Sequence, residues 1–475
     1  MRAGTAYVVG AGPNGLTAAV RLAQRGHQVT VLEAGSRIGG GTRTSENTLP
    51  GLLHDDCSAF HPTALASPYL RVLDLERHGL EYLWPEIEFA HPLDDGRAGL
   101  LHRSLEQTAA GLGADGGRWR RLFAPLVRRY DDLVDELFQP VLHIPRHPLT
   151  LARFGLSAAP SPSLLTRRWQ TEEGPALFGG AAAHLTYPLT RPLTSAVGLV
   201  LTGAAHTVGW PVARGGSRAI TDALAARLLE LGGRIETDAP VTRLEQVGDA
   251  DAVLFDLAPP AVARLLGDLL PPRIRRAYTR YRFGPGAFKL DLAVEGPIPW
   301  ANTDVGRAGT VHLGGALPEI VASEAAVAAG RMPRRPFVLV GQQYLADPSR
   351  SADGVNPVWA YAHVPAGYGG DASEAIIAQV ERFAPGFRDR IVGRFSRGPG
   401  EMEAYNANYV GGDIATGAND LLGTVFRPRL TPDPYRTGAP GFYLCSAATP
   451  PGAGVHGMGG FHAANAAADD LEGAR

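Results

Sequence analysis

Near the start of the chain stands the stretch Ala6-Tyr7-Val8-Val9-Gly10-Ala11-Gly12-Pro13-Asn14-Gly15. Its first four residues are apolar, as in a buried parallel strand, and its glycines follow in the spacing Gly-x-Gly-x-x-Gly. Apolar residues then recur with helical spacing up to Arg25, and Gly26 stands where a helix C-cap is expected. A second apolar segment, Val29–Leu32, ends at Glu33. This order predicts a βαβ unit with its glycines in the first turn.

The glycines of such a turn have separate physical tasks. Gly10 permits the tight turn, Gly12 lets the backbone approach a pyrophosphate, and Gly15 lets the helix pack on the strand. The partial positive charge at the helix N-terminus favours the same phosphates. Glu33 is placed to accept hydrogen bonds from ribose hydroxyls. The pattern predicts a dinucleotide site, the alternative being a glycine turn without a ligand.

Two further glycine-rich segments bear on which dinucleotide is bound. Arg37–Arg43 follows the acid directly and adds backbone N–H groups and arginines, although it could also be a solvated loop. Gly452–Gly460 precedes a helical pattern over Phe461–Leu471, and a helix N-terminus there would stabilise the anionic edge of a flavin. A packing turn is the alternative. Together the three segments favour FAD over a nicotinamide cofactor.

Composition excludes several other classes of protein. The chain has 475 residues, with 45 Lys+Arg against 47 Asp+Glu and a net charge of −2, so it offers no electrostatic footprint for nucleic acid. All but one of the basic residues are arginine, a bias typical of GC-rich bacterial genomes. The two cysteines, Cys57 and Cys445, form no metal-ligand or disulfide pattern, which favours a reducing, cytoplasmic compartment.

No segment has the pattern of a signal peptide or a membrane span. The N-terminus lacks a basic region followed by a cleavage site. The longest apolar stretch, Ala196–Trp210, is interrupted by His206 and is shorter than the ~20 residues that cross a bilayer. We therefore expect a cytoplasmic protein for which peripheral membrane contact stays open.

The pattern along the chain predicts an α/β fold in which a Rossmann-like FAD-binding domain is interleaved with a substrate domain of mixed sheet and helices. Trp119–Leu137 reads as one amphipathic helix, Pro140–Pro162 as a loop, and Val241–Leu244 as a short strand. The predicted FAD-binding segments are residues 1–60, 205–275 and 420–475, and the predicted substrate-binding segments are residues 61–204 and 276–419.

Four segments carry a resemblance to a known family: Val8–Arg43, Trp210–Ala226, Phe288–Trp300 and Gly441–Ala467. They resemble the FAD-dependent oxidoreductases related to phytoene desaturase, within the wider amine-oxidase and GDP-dissociation-inhibitor-like flavoprotein group. Matching stretches are spread over nearly the whole chain. The resemblance implies a flavoenzyme whose cofactor site is assembled from both ends of the sequence and from its middle.

The resemblance also implies individual contacts to FAD. It assigns the pyrophosphate to Gly10, Gly12 and Gly15, the adenosine ribose to Glu33, the phosphates to Gly40 and Arg43, the adenine to the backbone of Val241, the ribityl-phosphate side to Ala447, and the isoalloxazine ring to the loop that contains Gly454, Val455 and Met458.

The chain also departs from the carotenoid desaturases of this group. Where they usually have a Thr-His-Pro-Gly run, this sequence has Thr449-Pro450-Pro451-Gly452, and His456 stands where proline is common. These differences argue against a polyene substrate. The segment between Val241 and Asp251 is shorter than is usual in the family, as if a hairpin had been lost.

Two residues are candidate catalytic groups. His456 lies inside the predicted flavin loop and could accept a proton from the substrate, or else pack structurally. Lys289 is the only lysine and lies in an apolar strand; amine-oxidase relatives place a lysine near flavin N5, whereas the structural alternative is a buried ion pair with Asp291. Five aromatic or imidazole side chains are candidates for lining a substrate cavity: Trp300, Trp359, Tyr361, His363 and Tyr409.

The predicted activity is the dehydrogenation of a C–C or C–N bond of a largely apolar small molecule, with hydride transfer to flavin N5 and reoxidation by O₂ or a quinone. A redox-neutral flavin-dependent isomerase or cyclase, and an NAD(P)-linked dehydrogenase, are the alternatives. No metal is predicted, because the cluster His54–His61 lacks the spacing of metal ligands and is better explained as a loop at the cofactor's edge.

Overall fold

The computed structural model describes residues 4–140, 142–420, 423 and 426–473. A parallel five-stranded sheet contains the glycine turn and has Thr5–Val9 at its centre. Ala252–Phe255 and Gln28–Leu32 flank that strand, and the outer strands are Phe442–Leu444 and Arg234–Glu236. Strands from the two ends and the middle of the chain therefore meet in one sheet.

Helices cover both faces of this sheet, as its continuous apolar strands require. One face packs on Pro13–Gln24, Arg218–Glu230 and Met458–Gly473, with Leu16, Leu224 and Ala464 in a shared core. On the other face, Pro259–Leu266 and Pro272–Thr279 pack against a second core that contains Val9 and Phe255. The result is the three-layer arrangement of a doubly wound domain.

A mixed seven-stranded sheet forms the second half of the molecule. Its strands, in spatial order, are Ile391–Arg397, Gly286–Glu295, Val355–Val364, Val338–Gly341, Ala308–Leu313, Ile87–Pro92 and Ala98–Leu101. All neighbouring pairs are antiparallel except Ala308–Leu313 with Ile87–Pro92. Two small antiparallel ribbons pair Thr44–Ser45 with His54–Asp55 and Tyr82–Leu83 with Val212–Ala213.

A layer of helices packs beside the second sheet. Its members are Leu105–Gly111, Gly116–Arg128, Tyr130–Leu137, Pro148–Ala158, Pro162–Leu165, Glu173–Ala183 and Ser195–Thr207. The remaining helices are Pro62–Ala66, Leu317–Ala328, Ser373–Phe383 and Pro399–Tyr405. Within the described ranges, no helix is both long and apolar enough to cross a membrane.

The predicted α/β class with a Rossmann-like half and an interleaved sheet-plus-helix half is confirmed, but three local predictions are wrong. The helix predicted over Trp119–Leu137 is two helices, because Arg129 leaves the helical conformation. The region predicted as a loop over Pro140–Pro162 contains the helix Pro148–Ala158. The strand predicted at Val241–Leu244 is irregular backbone followed by the 3₁₀ turn Leu244–Val247.

The domain boundaries stay a prediction. All five strands of the parallel sheet fall in the segments predicted to bind FAD, and all seven strands of the mixed sheet fall in the segments predicted to bind substrate. Of the predicted segments, residues 1–3, 141, 421, 422, 424, 425, 474 and 475 lie outside the described residues.

Candidate functional site

The glycine turn brings the first helix directly onto the end of the central strand. Gly10 has a φ of 105°, a conformation that glycine adopts without strain, and its N–H donates to the carbonyl oxygen of Leu32 at 2.8 Å. A Cβ at Gly15 would overlap the carbonyl oxygen of Gly10. The close approach of helix and strand therefore requires glycine at both positions, as the sequence motif predicts.

Glu33 lies at the carboxyl end of the neighbouring strand and is held by backbone donors. Its carboxylate accepts hydrogen bonds from the N–H groups of Ala11 at 2.9 Å and Gly35 at 3.0 Å. Arg43 adds an ion pair at 3.2 Å from the next glycine loop. These contacts fix the carboxylate at the cavity's edge, where a carboxylate oxygen can still accept from a ribose hydroxyl.

Asp256 is a site residue that the sequence motifs did not identify. It directly follows the strand Ala252–Phe255, and its carboxylate accepts from the N–H of Gly15 at 3.0 Å. Burial, together with the charge of Glu33, raises the pKa of Asp256 to about 7. A Cβ at Gly12 would lie 2.6 Å from the Asp256 carboxylate. The available signal was its position, since side chains that follow parallel strands meet at one sheet edge.

The second glycine loop packs against the first. The N–H of Gly39 donates to the carbonyl oxygen of Ala11 at 2.9 Å, and a Cβ at Gly40 would lie 3.0 Å from the Cα of Gly12. The hydroxyl of Tyr405 donates to the carbonyl oxygen of Gly40 at 2.8 Å. Two backbone-rich loops thus form one continuous surface.

The third glycine loop joins the site from the far end of the chain. A Cβ at Gly460 would overlap the carbonyl oxygen of Asn14, so the last helix and the first helix pack closely at this point. Gly454, Val455 and Ala447 line the same cavity as the first turn, and the guanidinium of Arg427 donates to the carbonyl oxygen of Ala447 at 3.2 Å. Residues nearly the whole chain apart therefore share one site.

A single cavity of about 1230 Å³ connects these loops with the second sheet. This volume exceeds the ~300–1000 Å³ typical of a pocket for one small ligand, so the cavity has room for a dinucleotide together with a further molecule. Nine of the predicted cofactor residues line it: Gly10, Gly12, Glu33, Gly40, Arg43, Val241, Ala447, Gly454 and Val455. Gly15 and Met458 lie behind this surface, in the packing of their helices.

The glycine contacts provide the structural test of whether FAD fits. A Cβ at Gly12 would meet the Asp256 carboxylate and a Cβ at Gly40 would meet Gly12, so only glycine lets these loops pack closely and line the cavity with backbone. Bare backbone at a helix N-terminus suits a phosphate. Arg43 supplies positive charge there and Glu33 supplies an acceptor for a ribose. The residues present therefore suit an adenine dinucleotide that continues towards the carboxyl-terminal loop, as FAD would.

One face of the seven-stranded sheet forms the opposite wall of the cavity. Thr310 faces Gly341, which in turn pairs with Trp359, and Leu339 pairs with Tyr361, so these positions share the same face. Tyr409 also lines the cavity, whereas Trp300 and His363 lie outside its lining. Other apolar contributions come from Phe60, Val197, Leu201 and Trp210. This part of the cavity is largely apolar and aromatic.

The same wall contains a pair of neutral histidines. The Nε2 atoms of His184 and His312 are 2.9 Å apart, and only His184 reaches the cavity surface. Burial lowers the pKa of His184 to about 3 and that of His312 well below its usual range. The pair is uncharged at neutral pH, so one imidazole donates the shared hydrogen bond. Sequence patterns could not reveal this pair, because 128 residues separate its members.

Lys289 lies on the cavity-facing side of the sheet but behind the lining. It pairs in register with Tyr361, and its Nζ forms a buried ion pair with Asp291 and lies 5.3 Å from the ring centre of Trp359. Burial lowers the pKa of Lys289, although Asp291 opposes that effect. The structural alternative considered for Lys289, an ion pair with Asp291, is thus present in the structure.

His456 lies immediately behind Gly454. A Cβ at Gly454 would lie 3.0 Å from the imidazole Cδ2, and Nδ1 of His456 accepts from the N–H of Met458 at 3.1 Å. Its Nε2 is buried and has no hydrogen-bond partner within the described structure. Burial lowers the pKa of His456 to about 4, so it is neutral at pH 7.

The acidic loop after the second glycine segment lies where the sequence predicted, at the edge of the cofactor part of the cavity. Asp56, Cys57 and Phe60 all line it. Burial raises the pKa of the Cys57 thiol to about 11, so this cysteine is protonated. Across the described ranges, no group of three or more His, Cys, Asp or Glu residues could hold a metal ion.

The fold and site together define a dinucleotide-binding protein with a Rossmann-like half. A family model described as an NAD(P)-binding Rossmann-like domain matches residues 8–74. Over 98% of its length, the chain is 24% identical to the pyridine nucleotide-disulfide oxidoreductase domain-containing protein 2 of Mus musculus, covering 94% of that protein. It is 29% identical to one component of the limonene dehydrogenase of Castellaniella defragrans, over 29% of this chain and 24% of that component.

A solved structure resembles the whole chain. Putrescine oxidase, in its wild-type form bound to putrescine, matches with a TM-score of 0.62 and 20% sequence identity, and the match covers 100% of both chains. At this identity the likeness concerns the fold alone. The predictions that the protein is an oxidoreductase and that its cofactor is FAD agree with these comparisons.

Proposed function

We propose that the protein is an FAD-dependent oxidoreductase that dehydrogenates a C–C or C–N bond of a largely apolar small molecule. The observation that carries this proposal is the single cavity, lined at one part by three glycine-rich loops and at another by the apolar face of a sheet. When bound, FAD supplies an acceptor for the hydride equivalent. The chain's own residues then have to hold the cofactor, orient the substrate and exclude water.

The side chains that line the cavity beside the seven-stranded sheet favour an uncharged substrate. This wall consists mainly of side chains such as Trp210, Leu339, Trp359 and Tyr361. The acidic side chains that line the cavity lie in the cofactor half, where Glu33 binds backbone N–H groups and Asp56 pairs with Arg397 at 2.9 Å. Among the described residues of this wall, none offers a polyamine a free carboxylate, although the similar oxidase structure has putrescine bound. Limonene, after which one of the relatives is named, is an apolar molecule.

Proton handling is proposed for two groups. Lys289 stays a candidate catalytic residue because it lies on the cavity-facing side of the sheet with a pKa lowered by burial. His456 stays a candidate because it is neutral at pH 7 and its Nε2 lacks a partner behind Gly454. The remaining cofactor contacts, including those of Val241 and Met458, are proposed as the sequence predicts them.

A nicotinamide-linked dehydrogenase is the alternative that a specific observation favours, namely the match of residues 8–74 to an NAD(P)-binding Rossmann-like domain. That cofactor would use the first glycine turn and Glu33 but would leave the loop around Gly454 without a ligand. A redox-neutral flavin isomerase would use all three loops and would leave the mass of the substrate unchanged.

We further propose O₂ or a quinone as electron acceptor, and cytoplasmic residence with peripheral membrane contact.

The purified protein tests the cofactor and the substrate class together. We expect visible flavin absorption, retained through gel filtration, and anaerobic bleaching by an apolar probe such as limonene rather than by putrescine. The product's mass separates dehydrogenation from isomerisation. A colourless protein that stays apo after incubation with FAD, yet binds NAD⁺, would overturn the proposal in favour of the nicotinamide alternative.

A further inference from the structure

The helix Pro148–Ala158 exposes large apolar side chains to water. Leu149 and Leu156 are 86% and 80% exposed, and the exposed Ala152 and Arg153 lie between them at helical spacing on the same stripe. A surface helix ordinarily turns such a stripe towards the core. Here a narrower inner face, with Phe154 buried, makes that contact instead.

Neighbouring residues extend this stripe into a patch. Ile144, on the segment before the helix, is 93% exposed, and Leu142 and Leu164 on either side are each 49% exposed. Several large apolar side chains exposed on one short stretch of chain usually mark an interaction site, because leaving them in water is unfavourable. We define the apolar patch as Leu142, Ile144, Leu149, Leu156 and Leu164.

The stretch of chain that carries the patch is itself rich in positive charge. No aspartate or glutamate occurs between residues 138 and 171, whereas four exposed arginines do: Arg146, Arg153, Arg167 and Arg168. In the described structure these four form no ion pair, although an arginine such as Arg97 on the same half pairs with three acids. Acids on the flanking elements already have partners: Glu136 bonds His143 at 2.6 Å and Asp132 faces His147. Asp115 accepts from the N–H groups of Gln170 and Thr171, and Glu172 and Glu173 pair with Arg97.

The patch also lies one helix layer from the substrate part of the cavity. Phe154, on its inner side, shares a hydrophobic cluster with Leu199 of the helix Ser195–Thr207. That helix contributes Val197 and Leu201 to the cavity wall. An apolar molecule that partitions into a bilayer would therefore be concentrated beside the part of the protein that lines the cavity.

We propose that the apolar patch and its four arginines dock this protein on the surface of an anionic phospholipid bilayer, with the helix Pro148–Ala158 lying in the interface. Leucines and isoleucine would enter the boundary of the acyl chains, while the arginine head groups meet lipid phosphates. A second copy of the chain is disfavoured as the occupant, since the two facing patches would bring like charges together. This docking would serve to deliver an apolar substrate, and in that respect alone the inference rests on the proposed function.

Vesicle sedimentation with the flavin-loaded protein of 475 residues tests the docking surface. We expect binding to vesicles of phosphatidylcholine with phosphatidylglycerol, and much weaker binding to phosphatidylcholine alone or at high salt. The double substitution Leu149→Gln/Leu156→Gln is expected to weaken binding at least about tenfold. Arg167→Gln/Arg168→Gln is expected to weaken it by about 30-fold, and only on anionic vesicles.

The matched control is Leu269→Gln/Leu430→Gln, which changes two other exposed leucines, 56% and 71% exposed, and is expected to bind like the wild type. Thermal unfolding and flavin absorption report whether each variant is intact, and they also separate this proposal from that of the cofactor. Equal sedimentation of wild type and Leu149→Gln/Leu156→Gln would overturn the docking surface. So would a dimer in light scattering that the same substitution dissociates while vesicles bind neither form.

Discussion

At the scale of single residues, substitutions in the ion pair of Lys289 with Asp291 test whether Lys289 has a structural role, a catalytic role or both. Both side chains are buried, and Asp291 also accepts from Asn47 at 3.0 Å. Lys289→Met leaves a buried carboxylate without its cation, so we expect it to lower the free energy of unfolding by about 3 kcal/mol. Lys289→Met/Asp291→Asn removes both charges and is expected to recover most of that loss. Urea unfolding measures both changes.

Turnover of the double variant then decides the chemistry of Lys289. If the amine takes part in proton transfer, as proposed, the variant keeps its flavin and its stability while turnover stays about 100-fold below wild type. Wild-type turnover in the stable double variant would remove Lys289 from the catalytic candidates. Asp291→Asn alone completes the set: it keeps the lysine and a hydrogen-bonding group towards Asn47, and it shows the effect of a buried lysine without its anion.

At the scale of elements, the glycine turn should be the least tolerant part of the fold. Gly15 and Gly117 both lie near helix starts, but a Cβ at Gly15 would overlap the carbonyl oxygen of Gly10, whereas a Cβ at Gly117 would meet no other atom. We expect Gly117→Ala to stabilise the protein by about 0.5–1 kcal/mol through helix propensity. Gly15→Ala is expected to destabilise it by about 2 kcal/mol or more and to lower FAD retention, as overpacking does.

Thermal unfolding and flavin content of the two variants check this pair. Equal effects of the two substitutions on stability would contradict the close contact between helix and strand, since propensity alone would then govern both positions.

Helices and strands that show a clear pattern in their own sequence could be predicted, and the others could not. The strand Thr5–Val9, its glycine turn and the helix after it each carry their own signal in spacing and residue type. The helix Pro148–Ala158 was missed because the prolines around it favour a loop and its apolar stripe faces outward. The break at Arg129 was missed because the apolar periodicity continues across it.

At the scale of the whole molecule, the order of the second sheet could not be read from the sequence. Ile87–Pro92 pairs with Ala308–Leu313 although more than two hundred residues separate them, and nothing local specifies the partner. Trp359 and Tyr361 could be named as candidate lining residues from their aromatic side chains alone. The contact of His184 with His312 could not be predicted, because it depends on how the end of a helix packs against this sheet. The cofactor loops were predictable because each carries its own glycine pattern.

Burial of many neutral histidines should make the whole fold sensitive to acid. Their pKa is lowered to about 4 for His61, His91, His206 and His456, to about 3 for His184, and further below the usual value for His312. With a folded pKa below the unfolded one, the unfolded state binds protons first as pH falls from about 6.5. Each group then costs stability at about 1.4 kcal/mol per pH unit.

Asp256 opposes this trend, because its raised pKa favours the folded state as pH falls through about 7. On unfolding at pH 5.5 the six histidines take up protons and Asp256 releases one, so we expect a net uptake of about three to five protons. The free energy of unfolding is expected to be about 5 kcal/mol lower at pH 5.5 than at pH 7. Urea titrations at both pH values and potentiometry check this, and His91→Gln should reduce the uptake by about one proton. If the free energy of unfolding stays the same between pH 7 and 5.5, or if unfolding releases protons, these imidazoles are hydrated in the folded protein. The closed cavity wall around His184 and His312 would then be incorrect.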